Sequence, residues 1–156
     1  MECSHNCSTC GTHCIIKCPV CGAKAIPVPG VTVYNLTDNK SIPTKKHYIC
    51  TNPNCDIVYI EDGCNQLYTK SDVNVPIWFK SDFFNYMICY CRKIYLKEII
   101  QAVFSIENPT KDNIIKFLGK EKIQKRCPLQ NPIGRSCDDF FEDAIKYAID
   151  LKNKQE

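Results

Sequence analysis

Eight cysteines of this chain fall into two four-thiol sets whose spacing suits metal ligation. The first is Cys18-Pro-Val-Cys21 followed, after 28 residues, by Cys50-Thr-Asn-Pro-Asn-Cys55. Two short cysteine turns at hairpin ends supply a sulfur tetrahedron of about 2.3 Å radius without distortion, and Gly22 suits the tight turn after Cys21. A closed four-cysteine zinc site follows, with no open position for a catalytic water. Spacing alone leaves open a rubredoxin-like iron, which accepts the same ligands, and four reduced core thiols.

The second set is Cys89-Tyr-Cys91, then Cys127 after 35 residues and Cys137 after 9 more. This is unusual for a zinc finger. A [2Fe–2S] cluster needs two pairs of thiolates, one pair per iron, and Cys89, Cys91, Cys127 and Cys137 could supply them. Cys91 is expected to lead into the first helix of a small bundle and Cys137 into the last, so that helix N-termini face a dianionic cluster. The Pro- and Gly-containing loop between Cys127 and Cys137 offers backbone donors. Arg135 reads either as a compensating charge or as a plain surface arginine. A second zinc or unligated thiols are the other readings of this set.

Four more cysteines, Cys3, Cys7, Cys10 and Cys14, share residues 1–16 with His5 and His13. Soft thiolates of this kind select Cu+ over harder ions. Another soft metal, zinc, or a tail with no site are the other readings. Cys64 stands alone and reads as a spectator thiol. His47, on an expected strand, reads as structural.

The elements that must position these residues change character along the chain. Val31-Thr-Val33, His47-Tyr-Ile49, Asp56–Ile60 and Val73–Phe79 are rich in β-branched and aromatic residues with Pro, Gly and Asn between them, which predicts strands. Pro76 would put the last at a sheet edge. After Cys91 the apolar period becomes helical: Leu96, Ile99, Ile100, Val103 and Phe104 mark one helix. Thr110 caps a second carrying Ile114, Ile115, Phe117 and Leu118, with Gly119 as its stop. A third starts near Asp138 with Phe141, Ala144, Ile145 and Ala148 on one stripe. The expected fold class is α+β: a small zinc-bound antiparallel β lobe over 17–82, then a small helical [2Fe–2S] lobe over 83–152. A Cys/His-rich appendage (1–16) precedes them and a polar tail (153–156) follows.

Composition is consistent with this. The chain has 156 residues, 44% hydrophobic, and thirteen cysteines, a richness typical of secreted disulfide scaffolds or intracellular metal proteins. No secretory signal is visible and no run approaches the roughly 18 apolar residues that span a bilayer, so a reducing cytoplasm is expected. Lobes below about 80 residues need a metal or other staple. The formal charge is +3 with thiols neutral, but two loaded dianionic sites would bring it to about −1. Without a basic stripe, nucleic acid is not an expected partner.

Together, Cys18-Pro-Val-Cys21, Tyr48-Ile-Cys50-Thr-Asn-Pro-Asn-Cys55-Asp-Ile-Val-Tyr59, Cys89-Tyr-Cys91, and Cys127 through Asn131-Pro-Ile-Gly-Arg-Ser-Cys137 closely resemble the N-terminal domain of the archaeal-type CopZ copper chaperone family, over roughly residues 17–152. The resemblance implies Zn2+ at Cys18, Cys21, Cys50 and Cys55, and a [2Fe–2S] cluster at Cys89, Cys91, Cys127 and Cys137. It also implies a helical lobe similar to bacterioferritin-associated ferredoxin, and Cu+ as cargo, produced by reduction of Cu2+. Recipients would be a copper-transporting ATPase or a separate heavy-metal-associated domain. No Met-x-Cys-x-x-Cys motif follows within this sequence. The alternatives are a small electron-transfer protein docking to a redox partner, and a redox sensor. No phosphate loop, nucleophile elbow or His–carboxylate motif supports a stand-alone enzyme.

Overall fold

The computed structural model describes residues 16–64 and 66–156. The first half is a five-stranded antiparallel meander: β1 (Ile16–Lys17), β2 (Lys24–Val28), β3 (His47–Cys50), β4 (Ile57–Glu61) and β5 (Leu67–Thr69), in that order across the sheet. Register sets Ala25 against Cys50 and Ile49 against Tyr59. Every residue of β4 is buried, because the strand has apolar material on both faces. Ile57 and Ile60 pack with Cys18, Cys50 and Cys55, whereas Val58 and Tyr59 join a second cluster with Val33, Ile77 and Trp78.

Two expected strands take other forms. Val31–Val33 lies inside α1 (Gly30–Leu36). Pro29 sits at φ −58° and leads into this helix. One turn buries Thr32, Val33 and Leu36 together, a gain that outweighs the modest β preference of Val-Thr-Val. The stretch from Val73 contains no strand: Asn74 N–H donates to Leu36 O at 2.9 Å, and a 3-10 turn forms at Trp78–Lys80. Val73, Ile77 and Trp78 are buried in the middle cluster without strand pairing. Pro76 is accordingly not at a sheet edge; its carbonyl accepts from the Tyr90 hydroxyl at 2.6 Å.

The second half begins with a hairpin of β6 (Met87–Cys89) and β7 (Ile94–Tyr95). Four helices follow: α2 (Leu96–Ser105), α3 (Lys111–Phe117), α4 (Cys127–Gln130) and α5 (Asp138–Lys154). Side chains cap the first turns of α2 and α3, the second as its sequence signal predicts. Glu98 Oε2 accepts from Tyr95 N–H at 2.8 Å, and Thr110 Oγ1 accepts from Asn113 N–H at 3.3 Å. Ile99, Ala102 and Val103 of α2 meet Phe141, Ala144, Ile145 and Ala148 of α5 in the helical core. The fold is thus α+β, as expected. The middle cluster draws Met87, Tyr90 and Ile133 into contact with Val28, Val33 and Tyr59, so the sheet packs directly against the segments that carry the second cysteine set.

Candidate metal centres

Cys18 follows β1 and Cys21 lies in the turn before β2; Cys50 ends β3 and Cys55 precedes β4. In the first turn Gly22 N–H donates to Cys18 O and Cys18 N–H to Ala23 O, both at 2.8 Å. Gly22 takes φ +76°, a conformation costly for residues with a Cβ, and this aims Ala23 N–H at Cys21 Sγ, 3.5 Å away. The second turn is built on Asn52, whose Oδ1 accepts from Asn54 N–H at 3.0 Å and whose carbonyl accepts from Cys55 N–H at 3.2 Å.

The four sulfurs all lie within 4.8 Å of one another, with Cys21 and Cys50 3.6 Å apart. A zinc–sulfur distance of about 2.3 Å places tetrahedral sulfurs roughly 3.8 Å apart, while a disulfide would be about 2.05 Å. The donor set therefore fits Zn2+. Cys18, Cys50 and Cys55 are buried and Cys21 is exposed. The Ala23 N–H holds the Cys21 thiol down at about 6. Burial pushes Cys50 up to about 12 and also raises Cys55. A bound cation must displace the protons that burial favours on Cys50 and Cys55.

The second set is arranged differently. Cys89, Cys91, Cys127 and Cys137 all join the helical core and all are buried. Cys89, at the end of β6, and Cys91, in the turn that follows, bury their side chains in that core, while the intervening Tyr90 enters the middle cluster. Cys91 and Cys127 sulfurs lie 3.6 Å apart, and the Cys89 and Cys137 thiols interact with each other. Each pair thus joins one thiol from the 89–91 turn to one from the 127–137 loop. Among the described residues, the first set is the group in which three or more such ligand atoms lie within 4.8 Å of one another. The second set does not form such a group.

Cys127 opens α4 and Cys137 caps α5, whereas Cys91 is separated from α2 by β7. Arg126 N–H donates to Cys91 Sγ at 3.0 Å. The hydrogen bond with Cys137, then the backbone and side chain of Arg92, bring the Cys89 thiol down to about 6. The same Cys89–Cys137 bond, together with burial, drives Cys137 up, and burial takes Cys91 up to about 11. Arg135 is exposed. The cations that reach the thiols are Arg92, beside Cys89, and Lys111, which interacts with Cys137 and Cys89 and pairs with Asp138. Arg92 follows Cys91 directly in sequence, a signal that could have been read. Lys111 lies far from the cysteines in sequence and carried none.

The loop between Cys127 and Cys137 is pinned by the first half of the chain. Thr32 Oγ1 donates to Pro128 O at 2.5 Å, Asn35 Nδ2 to Leu129 O at 2.7 Å and Tyr59 OH to Pro132 O at 2.5 Å. His47 is buried on β3 opposite Glu61, with Nδ1 2.9 Å from Lys45 O, in keeping with a structural role. Cys3, Cys7, Cys10, Cys14, His5 and His13, and the side chain of Cys64, lie outside the described residues. No helix among the described residues is long and apolar enough to cross a membrane.

Comparison with known proteins agrees with the first centre. Residues 16–74 match the zf_CopZ family model, a zinc binding domain. The X-ray structure of the Archaeoglobus fulgidus CopZ N-terminal domain superposes with a TM-score of 0.61 at 22% identity, covering 82% of this chain and 96% of that one. A search of curated proteins finds no match. Residues 16–74 are therefore similar to a zinc binding domain of the CopZ type, in a chain that shares the fold of the CopZ N-terminal domain.

Proposed function

We propose that this chain is a CopZ-like copper-handling redox protein. Zinc at Cys18, Cys21, Cys50 and Cys55 fixes the β lobe, and Cys89, Cys91, Cys127 and Cys137 hold a [2Fe–2S] cluster. The observation that supports the cluster is that the second set, with Cys91 and Cys127 sulfurs 3.6 Å apart, does not gather into one mutually close group as the first set does. A second zinc would favour four mutually close sulfurs like those of the first set, whereas two irons want one pair each. When bound, such a cluster stores and releases one electron, the number that converts Cu2+ to Cu+.

The chain's own residues serve that exchange in stated ways. Arg92 and Lys111 offset negative charge at the Cys89–Cys137 pair, and Arg126 N–H donates to Cys91 Sγ. Such interactions favour the reduced, more negative state. Apolar packing by Ile99, Phe141 and Ile145 keeps the four thiols dry. The N-terminal thiols Cys3, Cys7, Cys10 and Cys14 are the proposed Cu+ ligands. A copper-transporting ATPase or a separate heavy-metal-associated domain is the proposed recipient, in a reducing cytoplasm.

The test mixes anaerobic protein, reduced beforehand by dithionite and freed of excess, with one equivalent of Cu2+. Loss of the Cu2+ EPR signal together with reoxidation of the cluster supports the reading. A Cu2+ signal that persists beside a reduced cluster overturns copper reduction and favours transfer to a protein acceptor.

A further inference from the structure

Lys80 is only 7% exposed, which is rare for a lysine. It lies beyond the matched zinc-binding segment. Its ammonium donates to Asn52 O at 2.6 Å and to Cys55 O at 3.1 Å, and it stands 5.7 Å from the centre of the Phe79 ring. Both carbonyls belong to the turn that presents Cys50 and Cys55. Among the described residues, no carboxylate lies within ion-pairing distance of Nζ.

A buried cation whose only direct partners are carbonyls lacks a balancing charge, and an unpaired buried charge is costly. Zn2+ with four thiolates is dianionic, and the turn Lys80 grips is half of that site. Lys80 is also held firmly. Its N–H donates to Ile77 O at 2.9 Å and the neighbouring Ser81 hydroxyl to the same carbonyl at 2.6 Å. Two residues earlier, Trp78 packs 5.0 Å from Phe140, and its N–H donates to Tyr90 OH at 3.2 Å.

We propose that Lys80 is a positioning residue of the zinc centre: its buried ammonium orients the 52–55 turn and supplies the counter-charge that the zinc tetrathiolate requires. Zinc occupancy and burial of this ammonium are therefore linked, each stabilising the other. The inference rests on zinc occupying Cys18, Cys21, Cys50 and Cys55. It extends the functional zinc site into the segment that also packs on Tyr90, between Cys89 and Cys91.

The test measures zinc affinity of the full chain by chelator competition under reducing, anaerobic conditions at pH 7.5, for wild type, Lys80→Met, Lys80→Gln and Lys17→Met. The glutamine keeps a hydrogen-bond donor without the charge; Lys17, exposed beside Cys18, controls for general charge. Both Lys80 variants should bind zinc about 10- to 100-fold more weakly, with Lys17→Met within about twofold of wild type. In Co2+-loaded protein the tetrahedral bands should persist while the sulfur-to-metal charge-transfer band shifts, a change that loss of packing alone would not produce. Zinc binding by both Lys80 variants within about twofold of wild type overturns the proposal. Weakening by Lys80→Met alone overturns the counter-charge. If the variants do not fold, amine labelling of wild type decides: Lys80 should be protected with zinc and labelled after chelation, and equal labelling in both states overturns the linkage. Wild type that binds no zinc refutes the site reading itself, a separate failure.

Discussion

Tyr59→Phe removes one oxygen from the molecule and isolates the bond that ties the sheet to the loop bearing Cys127 and Cys137. Tyr59 is fully buried, and its hydroxyl donates to Pro132 O at 2.5 Å. The phenylalanine keeps the ring and its packing but leaves a buried carbonyl unpaired, at a cost of about 1–3 kcal/mol. Burial drives the Tyr59 phenol far above its usual range, so the donor proton is present at every workable pH and the loss should not vary between about pH 6 and 9. With a urea slope of about 1–3 kcal/mol per M, the unfolding midpoint of the zinc-loaded chain should fall by roughly 1 M. Hydrogen exchange supplies the local readout. Ile133 N–H donates to Asn131 Oδ1 at 3.0 Å and Gly134 N–H to Asn131 O at 2.8 Å, and both should exchange faster relative to amides of β3. A stability change below about 0.3 kcal/mol, or acceleration spread evenly over the chain, would refute the claim that this hydroxyl holds the cysteine loop.

Two further substitutions probe the same architecture. Gly134 has φ +70°, and a Cβ there would lie 2.6 Å from Pro29 Cδ and 2.7 Å from Thr32 Oγ1. Gly134→Ala should therefore cost more than the roughly 1–2 kcal/mol of left-handed strain alone, and thermal or urea unfolding checks it. His47 is buried and its pKa is lowered, mainly by that burial. The unfolded chain takes up a proton near its ordinary value of about 6.5 while the folded chain resists, so this contribution is complete above that pH and is lost as pH falls below it. The stability advantage of wild type over His47→Gln should thus shrink between about pH 7.5 and 5.5; an unchanged difference would contradict the assignment.

The parts legible in the sequence were those with a period or a fixed spacing. Ile99, Val103, Phe141, Ala144 and Ile145 repeat at helical intervals and form the helical core, and the Cys18–Cys55 spacing anticipated four convergent sulfurs. Val31–Val33 misled because strand preference is a weak local bias, overruled where burying Thr32, Val33 and Leu36 from one helical turn seals the sheet. Val73–Phe79 misled because β-branched and aromatic side chains can fill a core without any strand pairing. Helix α4 is four residues long, too short to show a period. Lys80, Lys111 and the three side chains that pin the 127–137 loop act across the tertiary fold, and an isolated polar residue gives no pattern from which its distant partner can be read.

The central claim is that one chain builds two metal centres of different kind, and metal analysis of anaerobically prepared protein tests it most directly. Zn, Fe and acid-labile sulfide should be quantified on a single sample, with EPR before and after dithionite, for wild type, Cys50→Ser and Cys89→Ser. The account predicts about one Zn, two Fe and two sulfide per wild-type chain, with a signal that appears on reduction. Cys50→Ser should lose zinc first and Cys89→Ser should lose iron. Two Zn and no iron after anaerobic reconstitution would contradict it.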